Sequence, residues 1–412
     1  MPRTVALRWE GNPSSYGGRR SRATFTYKAY VPDPIASLAV SLPGETALLV
    51  SLAESEIRLL NSGATFGGLE AVGPLLLRAE SVASSRIEGL ELSQRSLARA
   101  LFDPAAARGT ARAVAGNVRA MEAAITIGAE DRPFSVSDIA DIHRTLLTGV
   151  DDDIAGRIRT EQNWIGGRLN SPLDAEFVPP PPGEVPALLG DLAAFINRED
   201  LPAVVQAAIA HAQFETIHPF ADGNGRVGRC LIHVILRRRG LAPRFVPPVS
   251  VVLATNAGAY VGGLTDFRRG QVAAWCSSFA LSCRSAATES ERLAARIADL
   301  QADWRRRAGP PRRGSAADRI IDLLPSQPIL SVATAHDAIG GSSEAARLAL
   351  NALERSRVIR KITAGRYARA WAADELFEVL NEYEHHLATP TRIDQRPRRA
   401  PRIGPAQTGA GR

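Results

Sequence analysis

The stretch HPFADGNGRVGR at 218–229 gathers a base, a carboxylate, three glycines and two guanidinium groups within twelve residues. The residues that follow set its geometry. Val227, Cys230, Leu231, Val234 and Ile235 recur at helical spacing, so a helix begins near Gly225. Arg237, Arg238 and Arg239 before Gly240, with Pro243 beyond, form a cationic last turn, a C-cap glycine and a proline stop. Positions 222–226 are therefore a loop running into a helix N-terminus, where unpaired N–H groups and the dipole favour an anion. Gly223 and Gly225 admit close backbone approach. Arg226 and Arg229, three apart, share a face and can grip phosphate oxygens. Asp222, at the loop mouth, needs a divalent cation between itself and phosphates. His218 can accept a proton near neutral pH. The set describes a polyphosphate, Mg2+ and a general base, hence attack of a hydroxyl on phosphorus. GxxxxGK[ST] is absent, so this is no Walker A loop. Plainer readings stand beside it: a solvated helix start, or a core histidine. His211, Glu215 and His218, at i, i+4 and i+7, also admit a metal site, without a further His or Cys nearby.

Other elements must hold this loop. Residues 36–128 carry helical apolar spacing in pieces (Leu49, Leu52, Ala53, Ile57, Leu60), punctuated by Gly63, Gly67, Gly68 and Gly73. Helices are also expected at 135–148, 184–197 and 201–217. Residues 163–182 (NWIGGRLNSPLDAEFVPPPP) cannot be helix; glycines, a turn-like Asn170-Ser171-Pro172 and four prolines read as a hairpin-like flap. Trp164 reads as its anchor and the prolines at 179–182 as its stiff exit.

In 412 residues two or three domains are expected. The expected division is a flexible arm at 1–35, a helical region at 36–128, a core at 129–290, a charged helix and Gly-Pro linker at 291–314, a small domain at 315–372, and a helix plus disordered basic tail at 373–412. No apolar run reaches the roughly 18 residues of a membrane span, and the basic N-terminus lacks the apolar segment of a secretory signal. Cys230, Cys276 and Cys283, an odd count without CxxC, suit buried thiols in a reducing cytoplasm. Residues 301–412 hold 19 Arg and Lys against 12 Asp and Glu, which accounts for the whole net charge of +7.

The stretch 218–229 matches, without a gap, the signature H-x-F-x-[D/E]-G-N-G-R-x-x-R of the Fic family, which this chain resembles over roughly residues 36–290. All eight specified positions agree. The resemblance implies a mainly α fold: a Fic-type helical core with a β-hairpin flap and an N-terminal helical region. It implies transfer of AMP from ATP to a Ser, Thr or Tyr hydroxyl of a protein substrate. By it, His218 deprotonates the hydroxyl, and Asp222 holds Mg2+ against the α- and β-phosphates. Asn224 and the 223–225 backbone form an anion hole. Arg226 and Arg229 bind phosphate oxygens, Arg229 on the γ side, while the flap aligns the target by strand addition. Asn256 and Tyr260 resemble part of the adenine-pocket pattern N-R-x-x-Y-Y, from which Ala257 and Val261 depart. Gly225 is the residue of the adenylyltransferases; the phosphorylating Doc-like branch carries lysine there.

A second stretch, SSRIEG at 84–89, reads as a capping box from Ser85 to Glu88 with a C-cap at Gly89. By the same resemblance it matches the inhibitory motif [S/T]-x-x-x-E-[G/N], in which Glu88 pairs with Arg229 and displaces the γ-phosphate. A carboxylate there competes with phosphate for the same donors.

Residues 315–372 show helix, helix, Gly340-Gly341 turn, helix and ribbon, which resembles a winged helix. Arg347, Arg355 and Arg357 lie on or after the third helix, and Arg360, Lys361, Arg366 and Arg369 surround Gly365 at a wing tip. Duplex DNA is the expected partner of such a surface, protein docking the alternative. The leading expectation is thus a cytoplasmic, autoinhibited adenylyltransferase, with a homodimer left open and no membrane partner. A DNA-binding regulator with a nucleotide-sensing site and an AMP-removing enzyme are the alternatives.

Overall fold

In the computed structural model of the chain, residues 2–10, 23–62, 69–167, 171–364 and 367–388 are described. The chain opens with two strands, β1 (Arg3–Trp9) and β2 (Phe25–Val31), paired antiparallel with Arg3 opposite Val31 and Trp9 opposite Phe25. Residues 3–9 and 25–31 of the expected flexible arm at 1–35 are thus strand, while residues 1 and 11–22 of it lie outside the described residues. RTVALRW and FTYKAYV alternate apolar and polar residues, and the ladder half-buries Val5, Leu7, Phe25 and Tyr27.

Helices dominate the rest: α1 (Gly44–Asn61), α2 (Leu69–Ile87), α3 (Gln94–Phe102), α4 (Gly109–Gly128), α5 (Val136–Leu147), α6 (Val185–Ile196), α7 (Ala203–Ile217), α8 (Asn224–Arg238), α9 (Val249–Thr255), α10 (Ala257–Arg268) and α11 (Val272–Arg307). All fifteen residues of α7 are buried. Its sequence AVVQAAIAHAQFETI is apolar all round, which suits a helix enclosed by α1, α6, α8, α10 and α11. Its polar groups are met within the core: Gln206 Nε2 donates to the Phe195 and Ile196 carbonyls, and Trp275 Nε1 donates to the Ala208 carbonyl at 2.8 Å. Helix α8 packs between α7 and α4.

Helix α2 is pinned to α8 and α9 through a buried carboxylate. Glu80 accepts from His233 Nε2 at 3.0 Å and from the Ser250 backbone N–H at 2.7 Å. Asn117 of α4 holds it from the other side, donating to the Ser81 carbonyl and to Ser85 Oγ.

The core does not stop at residue 290. Helix α11 runs through 36 residues, about 54 Å, so the expected boundary at 290/291 lies inside one helix. After it come α12 (Ala316–Leu323), β3 (Ile329–Leu330), α13 (Val332–Ile339), α14 (Ser343–Arg355), β4 (Arg360–Ala364), β5 (Tyr367–Ala372) and α15 (Asp374–Ala388), of which α12 and α15 pack on α11. The three strands pair in the order β3-β5-β4. One hydrophobic cluster runs from Val31 through Trp304 to Leu387, so this unit shares its core with the preceding helices. Helix α15, expected with the tail, packs back on α3, α9 and α11. The expected wing tip at Gly365 and Arg366, the glycines at 63, 67 and 68, Asn170, and the tail at 389–412 lie outside the described residues. Among the described residues no helix is long and apolar enough to cross a membrane.

Candidate active site

Helix α7 ends on His218, whose backbone is left-handed (φ 50, ψ 61). That turn reverses the chain into the loop before α8, so His218 and the first turn of α8 face one space. Three contacts hold the loop shut. Asn224 Oδ1 accepts from the Phe220 N–H, and Asn224 Nδ2 donates to the Phe220 carbonyl, both at 2.8 Å. Phe220 stacks on the His143 ring, centroids 3.7 Å apart. His143 Nδ1 accepts from the Gly156 N–H at 2.9 Å, so its proton sits on Nε2 and is donated to the Asp222 carbonyl at 3.0 Å.

These contacts refine the expected role of Asn224. Its amide is engaged in closing the loop, which leaves the backbone N–H groups of 224–226 as the donors an anion could meet. No side chain caps them; the N-cap is Gly223.

Arg226 and Arg229 are both buried, and their surroundings differ. Arg226 Nη2 reaches Asp222 Oδ2 at 3.1 Å, while its Nε and Nη1 have no hydrogen-bond partner among the described residues. A guanidinium left this way in the interior is costly, and a ligand oxygen would satisfy it. Arg229 is engaged: Nε donates to Ser84 Oγ at 2.8 Å, and Nη2 donates to the Ser84 carbonyl and to Glu88 Oε1, both at 2.7 Å. Burial alone would lower its basicity, but Glu88, Tyr260 and Glu215 around it outweigh that and hold it above the ordinary arginine range.

Glu88 is the C-cap of α2. The Gly89 N–H donates to the Arg86 carbonyl and the Leu90 N–H to the Ser85 carbonyl, with Gly89 at φ 76. The capping box expected from Ser85 to Glu88 does not form: both sit at the wrong end of a helix, and Ser85 Oγ accepts from Asn117 instead. Glu88 reaches Arg229 over Gly225. A Cβ at 225 would lie 1.8 Å from Glu88 Oε1, so any side chain there would push the carboxylate away.

Asp222 is 67% exposed at the loop mouth. A single accessible carboxylate beside phosphate donors fits Mg2+, which takes one or two carboxylates and completes its shell with phosphate oxygens and water. Among the described residues no group of three or more His, Cys, Asp or Glu side chains is placed to hold a metal ion on its own. His211 does not converge with His218; its Nε2 pairs with Tyr260 Oη at 2.8 Å.

Tyr260 is thus buried behind Arg229, whereas Asn256 is exposed and caps α10 by accepting from the Ala259 N–H at 2.9 Å. With Trp275 and Phe279 both line a cavity of about 170 Å³. Among the described residues Ile165 bridges Phe177 across the flap, which continues the N-terminal sheet: the Tyr30 N–H donates to the Val178 carbonyl at 2.9 Å. Trp164 meets Trp9 edge to face, centroids 5.6 Å apart.

Arg159, Asn163, His143 and Ser84 were not singled out by sequence reasoning. Each acts through a partner distant in the chain; Ser84 and Asn163 lay in stretches read for function, Arg159 and His143 did not.

Burial holds the site's imidazoles neutral. It pushes His143 and His218 down to about 4 and His211 to about 3. Burial pushes Glu215 the other way, to about 7, with Arg229 opposing and Glu88 reinforcing. His143, His211 and His218 gain protons on unfolding below about pH 6.5, so they withdraw stability as pH falls from there toward 4. Glu215, protonated when folded and ionised when unfolded, has the opposite slope between about 4.5 and 7. Three imidazoles against one carboxyl leave a net loss of roughly 2.7 kcal/mol per pH unit. The melting temperature should therefore fall steadily between pH 6 and pH 4.5; a flat or rising profile would contradict this balance.

Residues 133–236 match the Fic/DOC family model. Protein adenylyltransferase fic-1 of Caenorhabditis briggsae is 35% identical over 142 residues, 34% of this chain and 26% of that protein. Protein adenylyltransferase Fic of Drosophila willistoni is 36% identical over 117 residues, 28% of this chain and 22% of that protein. The chain thus spans about a quarter of the length of these curated relatives. The crystal structure of a Fic family protein from Desulfovibrio desulfuricans G20 superposes with a TM-score of 0.50 at 22% identity, covering 81% of this chain and 97% of that one, which shows a shared fold. The matched segment, residues 133–236, holds α7, the loop and α8 arranged as described, and that segment is similar to the Fic/DOC family.

Proposed function

We propose that this chain transfers AMP from ATP to a protein hydroxyl, with Mg2+ held by Asp222, and that Glu88 restrains the reaction. The observation that carries the reading is the buried Arg226 at a helix N-terminus, whose Nε and Nη1 have no hydrogen-bond partner among the described residues. The adenylyltransferase names of the relatives support the choice of nucleotide.

In this reading the backbone N–H groups of 224–226 and Arg226 bind phosphate oxygens. Mg2+ on Asp222 would neutralise phosphate charge. His218 takes the target's hydroxyl proton as its oxygen bonds to the α-phosphorus. The bond from that phosphorus to the β-phosphate oxygen breaks, and pyrophosphate leaves. Because His218 is neutral well below pH 7, it is ready as a base without prior deprotonation. Arg229 would meet the γ-phosphate once Glu88 is displaced, and the open edge of the flap at 163–167 would pair with the target segment.

Intact-mass spectrometry of Glu88→Gly incubated with ATP and Mg2+, beside the parent, tests the reaction. A gain of one AMP is expected in the variant; a gain of one phosphate would place the chemistry in the phosphorylating branch.

For the C-terminal unit we propose a winged helix that contacts duplex DNA with α14. The order helix, strand, helix, helix, ribbon and the sheet order β3-β5-β4 support this. Exposed Arg355, Lys361 and Arg369 would meet phosphates, whereas Arg347 and Arg360 are already paired with Glu344 and Asp374. Full-length protein should bind duplex DNA with an affinity that falls steeply with salt. No binding at low salt would leave this face to a protein partner.

A further inference from the structure

Arg159, in the segment between α5 and the flap, is 7% exposed, and no carboxylate among the described residues pairs with it. Its donors go instead to main-chain carbonyls of three segments. Nε donates to His218 at 2.9 Å, Nη1 to Glu161 at 3.0 Å, and Nη2 to Pro180 at 2.6 Å and Ile217 at 3.5 Å. Its own backbone N–H donates to the Pro219 carbonyl at 2.9 Å. Nearby, Asn163 Nδ2 donates to the His218 and Phe220 carbonyls at 3.3 and 3.0 Å. A guanidinium at the end of α7 is favoured by the helix dipole, which accounts for the cation at Ile217 and His218. It does not account for the arm on Pro180.

Two facts make the site more than a helix cap. A histidine in the left-handed region is unfavourable and persists only where its surroundings over-determine it; the bond to its own carbonyl is such a restraint. The same planar fork holds the exit of the flap at Pro180, so flap and base are held by one group.

We propose that Arg159 is a positioning residue that registers the flap against His218, so that a hydroxyl laid on the flap arrives at the imidazole. This rests on the adenylyl-transfer reading. Arg159 does not touch substrate; it sets where His218 points and where the flap leaves the body. Its charge also disfavours protonation of the imidazole, alongside burial and Arg268, while Glu88 acts in the opposite sense.

The test uses the full chain carrying Glu88→Gly, with Arg159→Lys or Arg159→Gln added. Lysine keeps a cation but cannot span three segments. Two readouts are taken: steady-state AMP transfer, and the His218 titration followed by NMR of histidine-labelled protein. Both variants should lower kcat at least 30-fold with the KM for ATP changed less than threefold. In Arg159→Gln the His218 midpoint should rise, with a smaller rise in Arg159→Lys. Folded variants with unchanged kcat and an unchanged His218 midpoint would overturn the proposal. So would kcat and KM changing in step, which would indicate general loosening. If Arg159→Gln does not fold, Arg159→Lys carries the same comparison. If Glu88→Gly transfers no AMP, the adenylyl-transfer reading fails on its own, and the titration still decides whether Arg159 sets His218.

Discussion

Glu88→Gly should raise the rate of AMP transfer by about 10- to 100-fold at subsaturating ATP. The variant removes one charge-assisted hydrogen bond to Arg229 at 2.7 Å, an interaction worth roughly 1.5–3 kcal/mol, and tenfold corresponds to about 1.4 kcal/mol. The guanidinium itself stays in place, because Ser84 Oγ and the Ser84 carbonyl still hold it. Backbone effects are small, since position 88 is already the end of α2. A second signature follows. Without ATP, the variant leaves Arg229 buried without its counter-ion, which is destabilising by several kcal/mol. Bound nucleotide should restore that stability, so ATP should raise the melting temperature more in the variant than in the parent. Equal rates across ATP concentrations, with equal thermal shifts, would show that the ion pair does not restrain the reaction.

His218→Ala in the Glu88→Gly background should lower transfer by about 10²- to 10⁴-fold, the usual contribution of a general base, and leave ATP affinity within a few-fold. The phosphate donors are separate groups: Arg226, Arg229 and the first N–H groups of α8 do not use the imidazole. Position 218 is left-handed, so His218→Asn, which tolerates that conformation better than alanine, guards against a backbone artefact. Isothermal titration with ATP and Mg2+ beside the transfer assay separates the two functions. Transfer retained in both variants would assign the base elsewhere.

The motif helix and its caps were legible because they are local. Apolar spacing from Val227 to Ile235 and the Arg237-Gly240-Pro243 ending place α8 within a residue of where it lies. The pairing of Glu88 with Arg229 was legible only through a resemblance, since 141 positions separate the two. Arg159 could not be read at all: its partners are carbonyls, which carry no side-chain identity. The N-terminal strands were misread for a different reason. Their alternation was present in RTVALRW, but the basic composition suggested an arm, and nothing local announces that β2 joins the flap at Val178. Burial misled in one place too. A helix that is apolar on every side has no preferred face, so α7 was recognised as a helix without its central place in the core.

The turn that carries Glu88 is gripped from an unexpected direction. Glu384 of α15 accepts from Arg86 and from Gln94, both at 2.7 Å, on either side of Glu88. Thermodynamic reciprocity follows from that geometry. If release of the Glu384 contacts frees the turn, a ligand that binds the C-terminal unit more tightly when α15 loosens its hold would also bias Glu88 away from Arg229. On the proposed reading, in which ATP displaces Glu88, nucleotide would raise that ligand's affinity by the same factor, so nucleotide occupancy would be read out at α15.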